Sequence, residues 1–189
     1  IKKDNSMYEA IDRGFKKSKG KYLYWLNSDD FLCNNNVLSN LYQFLILKRY
    51  NWINGRTAIL NQENGNMLKW LPLIYPKFVF NNRWNHKYGW GFVQQENVIF
   101  SKKLYKKVGG FNQKLKMAGD YDLWLKFSKY EKLEPINIEI AVHRKWKNQL
   151  TDLDKYYKEI KKKRGLFNLL YPIRILYSLF FYPFIKNRK

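Results

Sequence analysis

The apolar positions of this chain change spacing repeatedly, and each change predicts an element. After Ser6 they fall at Met7, Ala10, Ile11, Gly14 and Phe15, the i, i+3, i+4, i+7, i+8 rhythm of one helix face. Ser6 and Glu9 form a capping-box start, and Gly20 is the expected C-terminal stop. Tyr22-Leu23-Tyr24-Trp25-Leu26 is continuously apolar instead of alternating, which predicts a strand covered on both faces. Val37, Leu38, Leu41, Tyr42 and Leu45 return to helical spacing. Residues 52–60 predict a strand, Asn61-Gln62-Glu63-Asn64-Gly65-Asn66 a turn, and residues 67–71 the returning strand of a hairpin. Helix, buried strand, turn and helix in succession is the order of an α/β sheet.

The run at 22–26 ends in Asn27-Ser28-Asp29-Asp30. Open α/β sheets collect ligands at the carboxyl ends of their strands, so adjacent carboxylates there are candidate chemistry. Two hard oxygen ligands suit a divalent cation that carries phosphates; the plainer alternative is a turn with an acidic helix cap. Further on, Asp120 opens a helix in which Leu123, Trp124 and Phe127 are expected to face the core. Asp120 is then either an N-cap or a functional carboxylate, and Asp122 a partner of the helix dipole. Residues 72–90, with Pro76 and Trp84, look irregular and aromatic, either a loop bordering a binding site or a surface loop.

The run Asp4-Asn5-Ser6-Met7-Tyr8-Glu9-Ala10-Ile11-Asp12-Arg13-Gly14, then Gly20-Lys21, then Leu26-Asn27-Ser28-Asp29-Asp30, resembles family 2 glycosyltransferases. A second block follows in the family's order: Gln94-Gln95-Glu96-Asn97-Val98-Ile99-Phe100, Val108-Gly109-Gly110-Phe111, and Ala118-Gly119-Asp120-Tyr121-Asp122-Leu123-Trp124-Leu125. The resemblance covers roughly residues 1 to 151. It implies a partial GT-A nucleotide-sugar transferase sheet, Rossmann-like, with residues 152–189 as a C-terminal tail. The chain begins at Ile1, inside the half that would hold the nucleobase, so the first strands are expected to be missing.

The chemistry that the resemblance implies is inverting transfer of a sugar from a nucleotide-diphosphate donor to a saccharide or lipid-linked acceptor, in polysaccharide biosynthesis of the cell envelope. A divalent cation, Mg²⁺ or Mn²⁺, would stabilise the leaving diphosphate. Asp29 stands at the metal-contacting position, with Asp30 as second ligand. Asn27 stands where a ribose contact is usual, and Asp12 and Arg13 fall on the donor side. Asp120 would be the general base for the acceptor hydroxyl. Gln94, Gln95 and Glu96 would hydrogen-bond the acceptor sugar or remain ordinary strand polars. One departure stands out: the family often continues Arg-x-His, whereas this chain has Arg144-Lys145-Trp146. His143, an odd number of strand positions from Trp146, is expected on the opposite face and not as its substitute; Lys145 or Lys147 could compensate at the diphosphate.

Composition changes this picture in one respect. A length of 189 residues suits one domain with a tail, and the single Cys33 excludes an internal disulfide. No repeat and no Cys/His zinc spacing is present. Thirty-six Lys and Arg against 15 Asp and Glu, however, give a formal charge of +21, which attracts polyanions. Part of that charge is the run at 155–164, just before an apolar and aromatic stretch at 166–185 broken by Pro172, Arg174 and Pro183. The pattern predicts a segment lying on an anionic membrane, on the cytosolic side, or a helix packed on the domain, more than a simple span. The charge and the 19% aromatic residues also raise a nucleic-acid-binding protein as the alternative, although no nucleic-acid signature is present. A catalytically inactive glycosyltransferase homologue is the third reading.

Overall fold

Ser6 starts the first helix as its side chain predicts. Its Oγ accepts from the N–H of Glu9 at 3.1 Å and opens α1, Met7–Lys17. Glu9 turns back one residue further than expected, to the N–H of Asn5 at 2.8 Å. The helix stops before Gly20. Ser18 is the C-cap: its N–H bonds Gly14 O at 2.9 Å and its hydroxyl bonds Phe15 O at 2.8 Å. A serine thus satisfies the last-turn carbonyls that a left-handed glycine was expected to serve.

The computed structural model describes residues 4–84, 90–147, 153–160 and 170–186. The run at 22–26 is mostly unpaired. β1 is Tyr22–Leu23 alone, bonded antiparallel to β5, Val98–Ser101, through Tyr22↔Ser101 and Leu23↔Phe100. Burial on both faces nevertheless follows from the apolar run: Leu23 and Trp25 enter one core cluster, and Tyr22 and Tyr24 pack against the other.

The remaining strands are β2, Phe31–Leu32; β3, Trp52–Asn61; β4, Met67–Trp70; and β6, Glu134–Lys145. Their order is β1-β5-β3-β6-β2, with β4 hydrogen-bonded to β3 beside that path. The sheet is mixed: β3 and β6 run parallel, and the other described pairs are antiparallel. The β3–β4 hairpin closes as its sequence predicts, with Asn61 N–H on Asn66 O and Gly65 in the left-handed region. At Gly55 a Cβ would stand 2.5 Å from Ile138 O, so the absence of a side chain lets β3 and β6 approach.

Among the described residues, α1 is followed by these α-helices. α2, Val37–Tyr42, runs into a π-helical turn, Gln43–Leu47; α3 is Lys77–Asn81, α4 Lys102–Lys107 and α5 Gly119–Ser128. α6, Leu153–Glu159, and α7, Tyr171–Lys186, come last. Side chains of successive strand residues enter opposite clusters. Trp52, Val98 and Phe100 join Phe15, Trp25, Phe111, Trp124 and Phe127, whereas Ile53 and Ile99 join Val37, Leu41 and Leu45 under α2. Trp124 stacks between Trp25 and Trp52 at centroid distances of 6.1 and 5.8 Å. Truncating such a buried ring to alanine costs about 3–5 kcal/mol.

No described helix is long and apolar enough to cross a membrane. One side of α7 meets the domain: Arg174 Nη1 donates to Trp90 O at 2.9 Å, and Tyr177 packs edge-on against Trp90. The other side presents Ile173, Leu176, Phe180 and Phe184, each more than half exposed, at helical spacing. The basic and apolar runs expected at 155–164 and 166–185 are described only in part, because residues 161–169 lie outside the described residues. So do 85–89 of the aromatic loop and 148–151 of the family-like segment after Trp146.

Candidate active site

The acidic turn is built by its own backbone and by β6. Asp30 N–H bonds Asn27 O at 3.1 Å, and Asn27 Nδ2 donates to Asp30 Oδ2 at 3.3 Å. β2 pairs antiparallel with β6 through Phe31↔Val142 and Leu32↔Ala141. That register brings the residue before Phe31 opposite the residue after Val142. Accordingly His143 Nδ1 lies 3.3 Å from Asp30 Oδ1, and the N–H of Arg144 donates to the same oxygen at 3.0 Å. Arg144 Nε also donates to the carbonyl of Asp29.

Glu96 completes the group. It sits in the 3₁₀ turn Gln95–Asn97 that leads into β5, and it is only 4% exposed. One carboxylate oxygen, Oε1, is buried without a hydrogen-bond partner among the described residues. Asp30, Glu96 and His143 each offer a ligand atom, all within 4.8 Å of one another. Burial pushes the Glu96 carboxyl up to about 7, opposed by the nearby imidazole and reinforced by Asp30 and Asp120. The hydrogen bond to Asp30 raises His143 above the usual imidazole value, against its partial burial, with the charges of Glu96, Asp30 and Asp29 adding to the rise. Two carboxylates and an imidazole form a donor set for a divalent cation.

Asp120 lies inside the first turn of α5, and the N-cap position belongs to Ala118. Its Oδ1 accepts from Tyr121 N–H at 2.7 Å and lies 3.5 Å from the Tyr8 hydroxyl. Tyr8 also donates to Met117 O at 3.0 Å, and a Cβ at Gly119 would stand 2.6 Å from its ring, so only glycine admits it. Burial raises the Asp120 carboxyl to about 6 despite the hydrogen bonds that favour its charge. Asp122 pairs with Lys126 at 2.8 Å, one helical turn on.

The other expected residues fall in different surroundings. Asp29 is half-buried beside the cluster. Gln94 Oε1 and both amide atoms of Gln95 are buried without partners among the described residues. Asp12 is buried on α1, accepting from Tyr105 OH at 2.7 Å and pairing with Lys16 at 2.6 Å; Arg13 pairs with Asp4 at 2.5 Å. Trp146 is 46% exposed, just past the end of β6.

Three residues escaped the sequence reading. Strand parity puts His143 on the face opposite Trp146, and the β2–β6 register brings it there to Asp30. Tyr8 lies off the apolar face marked by Met7, Ala10, Ile11, Gly14 and Phe15, and no local spacing points to Asp120. Glu159 of α6 accepts from three successive backbone N–H groups, Lys116, Met117 and Ala118, at 2.8, 2.8 and 2.9 Å, two residues before Asp120. In the sequence it is one acid inside a basic run.

No family model matches the chain. It is similar to the uncharacterized glycosyltransferase RT0329 of Rickettsia typhi, 23% identical over 142 residues, which are 67% of this chain and 40% of the relative. It is also similar to the uncharacterized glycosyltransferase RC0461 of Rickettsia conorii, 28% identical over 150 residues, 75% of this chain and 23% of the relative. The chain therefore spans well under half the length of these curated relatives. Among solved structures it is similar to residues 1–349 of S. aureus TarS, with a TM-score of 0.56 and 13% identity over 74% of this chain and 40% of that one. It is likewise similar to the mannosyltransferase PcManGT of Pyrobaculum calidifontis, solved in complex with GDP-Man and Mn²⁺, with a TM-score of 0.53 and 12% identity over 95% of this chain and 50% of that one. By its relatives and by the fold it shares with these structures, the chain is a glycosyltransferase homologue of GT-A-like architecture.

Proposed function

We propose that the chain carries the cation-binding and catalytic part of an inverting glycosyltransferase, which moves a sugar from a nucleotide-diphosphate donor to a saccharide or lipid-linked acceptor. The observation that carries this reading is the convergence of Asp30, Glu96 and His143 at the end of the buried run. The unpartnered Glu96 oxygen is a buried ligand position with no other use among the described residues. Asp30, Glu96 and His143 would hold Mg²⁺ or Mn²⁺, with Asp29 adding charge beside them. When bound, the cation offsets the negative charge that grows on the departing nucleoside diphosphate. The mannosyltransferase that this fold resembles was solved with a nucleotide sugar and Mn²⁺.

Asp120 acts as general base. A carboxyl near 6 is ionised at neutral pH yet basic enough to accept a proton in the transition state. The acceptor oxygen forms a bond to the anomeric carbon as the bond from that carbon to the diphosphate oxygen breaks, and the acceptor proton passes to Asp120. Tyr8 and the N–H of Tyr121 hold the carboxylate during this step. Asn27 orients Asp30 and lies where the ribose would approach. Gln94 Oε1 and the Gln95 amide, without partners among the described residues, are offered to acceptor hydroxyls. Asp12 and Arg13 serve the donor side by fixing α1 to Tyr105 and Asp4.

The acceptor is met at an anionic membrane surface on the cytosolic side. Support comes from the exposed apolar row on α7 and from the +21 charge. Transfer itself is the test: the purified chain is incubated with Mn²⁺ and a panel of nucleotide sugars, and release of nucleoside diphosphate is followed. Cation-dependent release that Asp120→Asn removes supports the reading. Release that needs no cation, or survives in that variant, contradicts it.

A further inference from the structure

A second site lies at the opposite end of the β1–β5 pair from Glu96 and Asp30. There the segment after α1, the start of β1, the end of the π-helical turn and α4 enclose an open cleft of about 800 Å³. Six cations line it: Lys19, Lys21, Arg49, Lys102, Lys103 and Lys106. No acidic residue lines it, and among the described residues none of the six has a carboxylate partner. Tyr22, Leu45 and Ile46 add apolar and aromatic surface to the lining. The wall is partly ordered, because Lys102 Nζ donates to Ser18 O and lies 3.4 Å from Ser18 Oγ.

Concavity separates this patch from the general excess of lysine. Like charges gathered in a cleft with low-dielectric walls repel one another and focus their field on the space between them. Lysine ammonium groups act there as point charges suited to phosphate oxygens. Single-stranded nucleic acid needs stacking platforms, and Tyr22, the one aromatic residue in the lining, has its hydroxyl tied to Leu45 O.

We propose that this cleft is an anion site separate from the sugar-transfer site, which takes a ligand carrying two or more phosphate groups. The phosphates come from a soluble polyphosphate or from lipid headgroups. The site does not depend on the transferase reading.

The test titrates the full chain with tripolyphosphate by calorimetry, with EDTA present so that cation-dependent binding at Asp30 is silent. Flotation with phosphatidylglycerol and with phosphatidylcholine vesicles runs in parallel. The variant Lys21→Ser/Lys103→Ser/Lys106→Ser is compared with Lys77→Ser/Lys114→Ser/Lys129→Ser, which removes the same charge from exposed positions outside the cleft. The cleft variant is expected to lose at least about tenfold in affinity for tripolyphosphate or for phosphatidylglycerol, against about twofold or less for the control. Loss confined to tripolyphosphate assigns a soluble ligand, and loss confined to phosphatidylglycerol vesicles assigns headgroups. Equal losses in the two variants, or binding of neither probe by the unaltered chain, overturns the proposal. All six substituted lysines are exposed, so a melting temperature near that of the unaltered chain is expected in both variants.

Discussion

His143 Nδ1 lies 3.3 Å from Asp30 Oδ1 because two short strands pair in one register, β2 against the end of β6. The contact joins the acidic turn to the strand that runs parallel to β3 at the centre of the sheet. It also makes the imidazole's charge depend on the site.

The hydrogen bond to Asp30 raises the His143 pKa in the folded protein. Its stabilisation is therefore complete below the unfolded imidazole value, about 6.5, and is lost as pH rises through the raised folded value. Without cation, the melting-temperature advantage of the unaltered chain over His143→Gln should be larger at about pH 6 than at about pH 8. Cation affinity should move the other way, because a ligating imidazole must be neutral. A constant advantage across that range would remove the pairing from the account.

Glu96 shifts stability in the same direction with pH but from a different cause, the burial of its charged form. Its carboxyl is raised from 4.5 to about 7 by burial, so the folded state loses stability as pH climbs between those values. Glu96→Gln should be more stable than the unaltered chain at pH 8 in EDTA, by about 1–3 kcal/mol, with the gap closing near pH 4. Chemical denaturation at the two pH values measures it.

Asp120→Asn should lower turnover by about 10²–10⁴-fold while sparing donor affinity, since the base acts in the transition state. The unaltered enzyme should gain activity as pH rises through about 6, where Asp120 ionises. Single-turnover rates from pH 5 to 8, set beside donor titrations, separate the two effects.

Much of the frame was legible in the residues. The Ser6 cap, the hairpin at Asn61–Asn66 and the core face of Leu123, Trp124 and Phe127 each follow from local spacing, and local spacing survives folding. Non-local pairing was not legible. The run at 22–26 became a two-residue strand because β5 offers it only Phe100 and Ser101 as partners. The meeting of His143 with Asp30 is not legible, because parity along one strand carries no information about register with another. Glu96 stood in the family-like block as an acceptor contact, and only the fold brings its carboxylate to Asp30.

Glu159→Ala leaves the N–H groups of Lys116, Met117 and Ala118 without their carboxylate. The expected cost is about 1–3 kcal/mol of stability, together with a fall in kcat at unchanged donor KM, since the loop leads directly to Asp120. Glu159→Gln keeps one acceptor oxygen and should recover part of both losses. Thermal melts and steady-state kinetics on the two variants check this.

Leu176 and Phe180 are 67% and 69% exposed on α7. Leu176→Asp with Phe180→Asp should abolish flotation with anionic liposomes and leave the melting temperature nearly unchanged. Flotation equal to that of the unaltered chain would mean that this face does not meet the membrane.

Mn²⁺ binding reports on the Asp30, Glu96 and His143 group itself. Titration by calorimetry or paramagnetic resonance at pH 7.5 compares the unaltered chain with Glu96→Gln and His143→Gln. Each substitution should weaken binding by about tenfold or more, because it removes a ligand atom from the group around Asp30. Mn²⁺ affinity equal in all three proteins would contradict the site.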